Sequence, residues 1–440
     1  MTTVLPNIIF ALLFFSLVGL FVRNIRRIIR NIKLGKPVNR SDQAKRRWLH
    51  MARIALGQSK MVRKPISGLL HVVVYVGFII INIELLEIVV DGFLGTHRVF
   101  APLMGPAYNA LIFSFEVFAV LVIIVVLFFW MRRNIVRIKR FLSPEMNGWP
   151  KIDADIILYV ELVLMGLFLT MNATDYWLQT VPSDAIYTRA GSFPVSQYLL
   201  PLFDGMEASK VMLIERTAWW LHIVGILLFL NYLYYSKHLH ILLAFPNTYF
   251  AKLTPQGKLP NMPAVTEEVK LMLDPNSDPY AAPATETVPS TFGAADVTDL
   301  NWVQLMNAYS CTECGRCTAV CPANLTGKKL SPRKIMMDTR DRLVEVGNAL
   351  NRGEEPNQHI LLDNYISKEE LWACTTCNAC VEACPIAIDP LSIIMDMRRY
   401  LVMEQSAAPT ELNNMMTNVE NNGAPWPFNQ QDRIAWRDEI

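Results

Sequence analysis

Five stretches of the chain are apolar all round, with no polar face: residues 5–22, 66–90, 109–130, 156–176 and 214–236. A helix needs roughly 20 apolar residues to cross about 30 Å of hydrocarbon, and each stretch is near that length. They predict five membrane-spanning helices. After residue 250 the pattern changes to short segments with helical periodicity. These predict helices over Trp302–Ala308, from Pro332 through Leu350, over Ser367–Trp372 and from Pro390 through Leu401, with a short one near Val265–Leu273. Pro332 and Pro390 suit the first turn of a helix. Between the two regimes lie seven prolines, at 255, 260, 263, 275, 279, 283 and 289, as in an extended linker.

Charge gives the spans a direction. The net charge of +2 conceals fourteen Lys or Arg between Arg23 and Lys64 against the single acid Asp42, and five more between Arg132 and Arg140. Positive loops stay cytoplasmic, so the N-terminus is expected outside and everything after the fifth span inside, in a bacterial cytoplasmic membrane. Positive-inside topology accounts for these runs without nucleic acid. The basic residues follow the first apolar run instead of preceding it, which favours a retained anchor over a signal peptide. Trp130, Trp177, Trp219 and Trp220 are expected at helix ends, at the interfaces.

All eight cysteines fall in two copies of one pattern, C-x2-C-x2-C-x3-C-P: Cys311, Cys314, Cys317, Cys321 and Cys374, Cys377, Cys380, Cys384. This is the run that wraps a 4Fe–4S cluster in bacterial ferredoxins, where the fourth cysteine of each run serves the other cluster. With crossed fourth ligands, one cluster takes Cys311, Cys314, Cys317 and Cys384. The other takes Cys374, Cys377, Cys380 and Cys321. Zinc and disulfides are the alternatives. Zinc is satisfied by four ligands, and disulfides need an oxidising compartment. The expected organisation is a mainly α protein: a five-helix transmembrane domain (1–250), a Pro-rich linker (251–300), a cytoplasmic α-helical ferredoxin-like domain (301–405) and a C-terminal tail (406–440).

Ionisable groups within hydrocarbon are costly and commonly functional. His71 falls in the second span and His222 in the fifth, with His238 and His240 near the inner end of the latter. His222 and His240 are eighteen residues apart; on one continuous helix they would share a face, with His238 opposite. Glu84, Glu87 and Glu116 are expected at the depth of His222, where the four could line a quinol pocket or snorkel to the headgroups. Glu161 has no evident partner.

The segments Gly68-Leu69-Leu70-His71-Val72 and Ser236–Asn247 resemble the five-helix cytochrome b of nitrate reductase gamma subunits and the membrane subunit of heterodisulfide reductase. That resemblance implies b-type haem between His71 and His240. That family holds two haems, but its other helix-two histidine is here Ile81, which favours one haem over two and leaves His222 as an outer ligand without its partner, a satisfied polar residue between helices or part of a quinone site. Cys321-Pro322-Ala323-Asn324, Leu330–Ile335, Leu371–Cys377 and Asn421–Pro427 resemble the small iron–sulfur subunit of heterodisulfide reductase. With no Gly-rich dinucleotide fingerprint and no cysteine beyond Cys384, the expected role is a relay. Electrons would pass between a cytoplasmic flavoprotein or cysteine-rich iron–sulfur partner and membrane quinone. A redox-sensing or structural anchor is the alternative.

Overall fold

The computed structural model describes residues 4–181, 187–275 and 291–438. The expected prolines at 279, 283 and 289 lie outside the described residues. Five helices are long and apolar enough to span a membrane: Val4–Ile32, Pro65–Leu94, Ala107–Asn134, Trp149–Thr180 and Ala208–Tyr232, the last continued by a tight turn to Tyr235. Each is centred near its predicted stretch, and all start earlier than expected. Helices of 28 to 32 residues rise about 45 Å, more than the apolar thickness, so their ends project beyond it. Phe115, Ala119, Phe168, Ala218 and Ile223 form the centre of the bundle.

Trp219 and Trp220 are not at a helix end. The fifth span begins at Ala208, and both rings pack on Phe10 of the first span, at centroid distances of 5.8 and 6.2 Å. The fifth span also stops short of the predicted residue 236. Ser236 is extended (φ −111°, ψ 146°), and a separate helix, His240–Tyr249, follows one further turn. The amides freed by this break are satisfied: Lys237 N donates to buried Asp153 at 3.1 Å and His238 N to Ser236 Oγ at 3.0 Å.

The cysteine-bearing part contains the helices Trp302–Ser310, Pro332–Arg352, Lys368–Trp372 and Pro390–Met403. Asn301 and Ser367 cap the first and third with reciprocal boxes through Gln304 and Glu370. The expected linker helix is present as Pro263–Leu273, and Thr410–Asn422 forms a further helix near the C-terminus.

This part does not hang from the bundle on a linker. Ile28 and Ile32 of the first span, with Leu233 and Leu239, share one buried cluster with Val303, Leu305, Ile335, Leu343 and Met397. The first helix runs ten residues past its predicted end, and its last turn enters the iron–sulfur core. Asn31 donates to the Tyr309 hydroxyl at 2.8 Å, and it lies so close to Gly347 that a Cβ there would sit 2.3 Å from its amide.

Candidate redox-centre site

The two cysteine runs fold alike. In Cys311–Cys317, Glu313 (φ 55°) and Gly315 (φ 69°) are left-handed; in Cys374–Cys380 the equivalent Thr376 (φ 56°) and Asn378 (φ 61°) are too. These paired reversals coil each run into a cup, and each costs energy for a residue other than Gly or Asn. At Gly315 a Cβ would lie 2.6 Å from the Arg333 guanidinium, so a larger residue there would be strained and would have to displace that side chain. A short helix follows each cup, Arg316–Ala319 and Ala379–Ala383, and the two pack against each other. The arrangement is an approximate two-fold repeat.

That packing carries the fourth cysteine of each run to the other cup. Cys317 is influenced electrostatically by Cys314, Cys311, Cys384 and Cys380, and Cys384 by Cys314. Cys374 and Cys380 both feel Cys321. A cavity opens among Cys311, Cys314, Cys317, Cys380 and Cys384, walled by Met336 and Ile388, so it gathers cysteines of both runs. Burial pushes the Cys311 and Cys380 thiols up to about 12, so these groups ionise only opposite a bound cation. Backbone N–H groups of Thr376 and Ile388 point at Cys374 and Cys384 Sγ, at 3.4 and 3.3 Å. Such donors stabilise sulfur that carries negative charge. Among the described residues no three His, Cys, Asp or Glu side chains gather as they would about a single ion.

Three polar joints fasten the first cup to the bundle, and no local signal in the sequence marks them. Glu313, 2% exposed, pairs with Lys237 and with Arg340 at 2.6 Å. Burial opposes its charge, yet Lys237 and Arg340 outweigh that and hold it below the usual glutamate range. Arg316, between Cys314 and Cys317, donates to the Met61 carbonyl at 3.4 Å and contacts its sulfur at 2.9 Å, just before the second span. Fully buried Arg333 pairs with Glu145 at 2.7 Å and donates to the Arg140 carbonyl at 2.7 Å. The second cup is held by Glu382, between Cys380 and Cys384, which pairs with Arg63 and Lys60. Both basic loops therefore lie at the end of the bundle that carries the cysteines.

His71, His238 and His240 lie together at that same end. The rings of His238 and His240 are 5.6 Å apart and nearly perpendicular, and burial with His240 and His71 nearby pushes His238 down to about 3. His240 Nδ1 donates to the Lys237 carbonyl at 3.1 Å, and the Lys237 ammonium holds Glu313. One residue thus joins His240 to the first cysteine cup. Nδ1–H bound to a carbonyl fixes the tautomer and leaves Nε2 free, the state of a metal-ligating imidazole. Nδ1 of His71 is buried with no hydrogen-bond partner.

His222 does not share a helix face with His240, because the break at Ser236 lies between them. It is buried in the bundle, donates from Nδ1 to the Leu164 carbonyl at 3.1 Å and packs on Phe168.

The outer carboxylates are mostly committed. Glu87 accepts from the Tyr108 hydroxyl and from Phe100 N, both at 2.8 Å. Glu116 accepts from Val195 N at 2.8 Å, Ser196 N at 3.1 Å and Asn172 at 3.3 Å. Buried Arg98 ties Tyr108, Asn172 and Asp175 together. This network stitches the outer connections to the helices, which is a structural task. Glu87 and Glu116 are buried and hydrogen-bonded within the protein, and neither snorkels. Glu84 keeps one buried carboxylate oxygen without a partner.

Residues 310–388 match the family of 4Fe–4S dicluster domains. The chain is 28% identical to the probable iron–sulfur-binding oxidoreductase FadF of Bacillus subtilis, over 96% of this chain and 59% of that protein. It is 27% identical to an EtfAB:quinone oxidoreductase of Syntrophomonas wolfei, over 91% of this chain and 55% of that one. It is 33% identical to a CoB-CoM heterodisulfide reductase subunit of Methanosarcina acetivorans, over 24% of this chain and 52% of that protein. The chain spans under three fifths of the length of the first two relatives. No solved structure matches it. The chain thus carries, at 310–388, a region that matches 4Fe–4S dicluster domains, packed against five apolar helices, and it is homologous to FadF-like, EtfAB:quinone and heterodisulfide-reductase oxidoreductases.

Proposed function

We propose that the chain relays electrons between a soluble redox partner and membrane quinone, through two 4Fe–4S clusters and one b-type haem. Cys311, Cys314, Cys317 and Cys384 would hold one cluster and Cys374, Cys377, Cys380 and Cys321 the other; His71 and His240 would hold the haem, with His238 beside them. Clusters and haem supply one-electron carriers between a partner and a two-electron quinone. The observation that carries this reading is the joint at Lys237, whose carbonyl orients His240 while its ammonium binds Glu313 of the first cysteine cup.

Exposure supports an order. Cys377 is exposed, whereas Cys311 is buried in the run whose Glu313 is joined through Lys237 to His240. The Cys377 set therefore faces the partner and the Cys311 set faces the histidines. The partner is an electron carrier of the flavoprotein kind or a cysteine-rich iron–sulfur protein, and the similarity to an EtfAB:quinone oxidoreductase favours the former. In the membrane the N-terminus lies outside and the cysteine part in the cytoplasm, because both basic loops lie at the cysteine end. His222 is a satisfied core histidine, and one haem is present.

A reduced-minus-oxidised spectrum of the purified protein tests the assignment. A b-type alpha band lost in His71→Ala and kept in His222→Ala is expected. Absence of the band in the unmodified protein sinks the haem, and clusters that menaquinol cannot reduce leave a redox-sensing anchor in place of the relay.

A further inference from the structure

Arg23, Arg26, Arg27 and Arg30 follow directly on the apolar stretch of the first span. Their spacing of three, four and seven residues puts them on one face. With Asn351, from the last turn of the helix Pro332–Arg352, they line a cavity of about 220 Å³ whose wall holds four guanidinium groups and no carboxylate. The Asn351 side-chain nitrogen is shielded from solvent and has no hydrogen-bond partner. Arg23, Arg26 and Arg30 are exposed and Arg27 half-buried around this unpartnered amide donor, and an anion with several acceptor oxygens would meet the guanidinium groups and the amide together. Arginine suits phosphate, which it binds through two parallel N–H donors.

We propose that this cavity binds the phosphate head of an anionic phospholipid, in the leaflet facing the iron–sulfur part. The same chemistry would accept a soluble phosphate compound; the position favours the lipid. Leu20 and Val22, within the turn that precedes Arg23, are exposed apolar side chains, so acyl chains can lie along the helix while the head enters the cavity. Basic pockets at this depth recognise anionic headgroups. One wall belongs to the first span and the other to the iron–sulfur part, so a bound lipid would clamp the two together at the membrane surface. The proposal is independent of the haem and quinone assignments.

Full-length protein in nanodiscs of phosphatidylcholine with a minor share of phosphatidylglycerol provides the test, with retained lipid read by native mass spectrometry. Retention of phosphatidylglycerol over phosphatidylcholine is expected. Its loss by about tenfold or more is expected in Arg26→Gln/Arg27→Gln, at unchanged iron and sulfide content. Asn351→Leu, which alters no charge, is expected to weaken retention in the same direction. Equal retention by all three proteins overturns the proposal. So does displacement of the lipid by millimolar inorganic phosphate with binding of that phosphate in detergent, which would mark a soluble-anion site.

Discussion

At the residue scale, the chemistry depends on side chains and backbone states of different legibility. The cysteines are legible because three closely spaced thiolates and a fourth before proline have few other uses. The left-handed residues are half legible. Gly315 advertises its conformation, and Asn378 tolerates it, but Glu313 and Thr376 do not announce it. Arg333 and Glu145 were invisible, since nothing local marks residues 188 apart as partners. Arg333 is fully buried, so Glu145→Ala leaves its charge with only hydroxyl and carbonyl neighbours. A loss of about 3–5 kcal/mol is expected, measured by chemical denaturation. Burial opposes ionisation of Glu145, but Arg333 and Ser331 more than offset it and lower its pKa. The contribution is therefore full above the ordinary glutamate value of 4.5 and fades as pH falls below it. The deficit of Glu145→Gln should accordingly narrow in acid.

At the element scale, hydropathy located all five spans but not their ends. A window average cannot distinguish a helix that stops at the interface from one that continues as a polar extension. The first span continues through its arginines because the last turn is buried by Trp302–Ser310 and Pro332–Arg352. The fifth span breaks at Ser236 because Asp153, on the fourth span, offers the freed Lys237 amide a better partner than another helical turn. That break separates His222 from His240 and removes the face shared on paper. The contact of Asn31 with Gly347 measures how tightly the first span is docked. Gly347→Ala should push the Asn31 amide off Tyr309 and cost about 1–2 kcal/mol. The double variant Asn31→Ala/Gly347→Ala should cost less than the sum of the single changes. A double-mutant cycle in denaturant checks the coupling, and simple additivity would disprove the contact.

At the scale of the whole molecule, the expected picture of a redox module tethered under a bundle gives way to one shared core. Hydrophobic packing of Ile28, Ile32, Leu233 and Leu239 brings the halves together, and the polar joints at Lys237, Arg316 and Arg333 set their register. Lys237→Met should cost about 2 kcal/mol, the worth of a hydrogen bond to a charged group. If the proposed haem is bound, its midpoint potential should shift too, because Lys237 links Glu313 to His240. Redox titration beside denaturation separates the two effects. A band with unchanged midpoint would show that the joint is merely adhesive.

The sequence by itself determined the helical class, the five spans, the two cluster runs and the histidines worth testing. Each rests on a local regularity: apolar length, fixed cysteine spacing, or an ionisable residue in an apolar run. Only the tertiary structure decided which histidines meet, which carboxylates are already occupied and where the iron–sulfur part sits. Those outcomes depend on partners far apart in the chain, such as Asp153 with Lys237, Lys237 with Glu313 and Arg98 with Asp175. Buried polar groups must find partners somewhere, and which one is within reach is settled by how the helices pack.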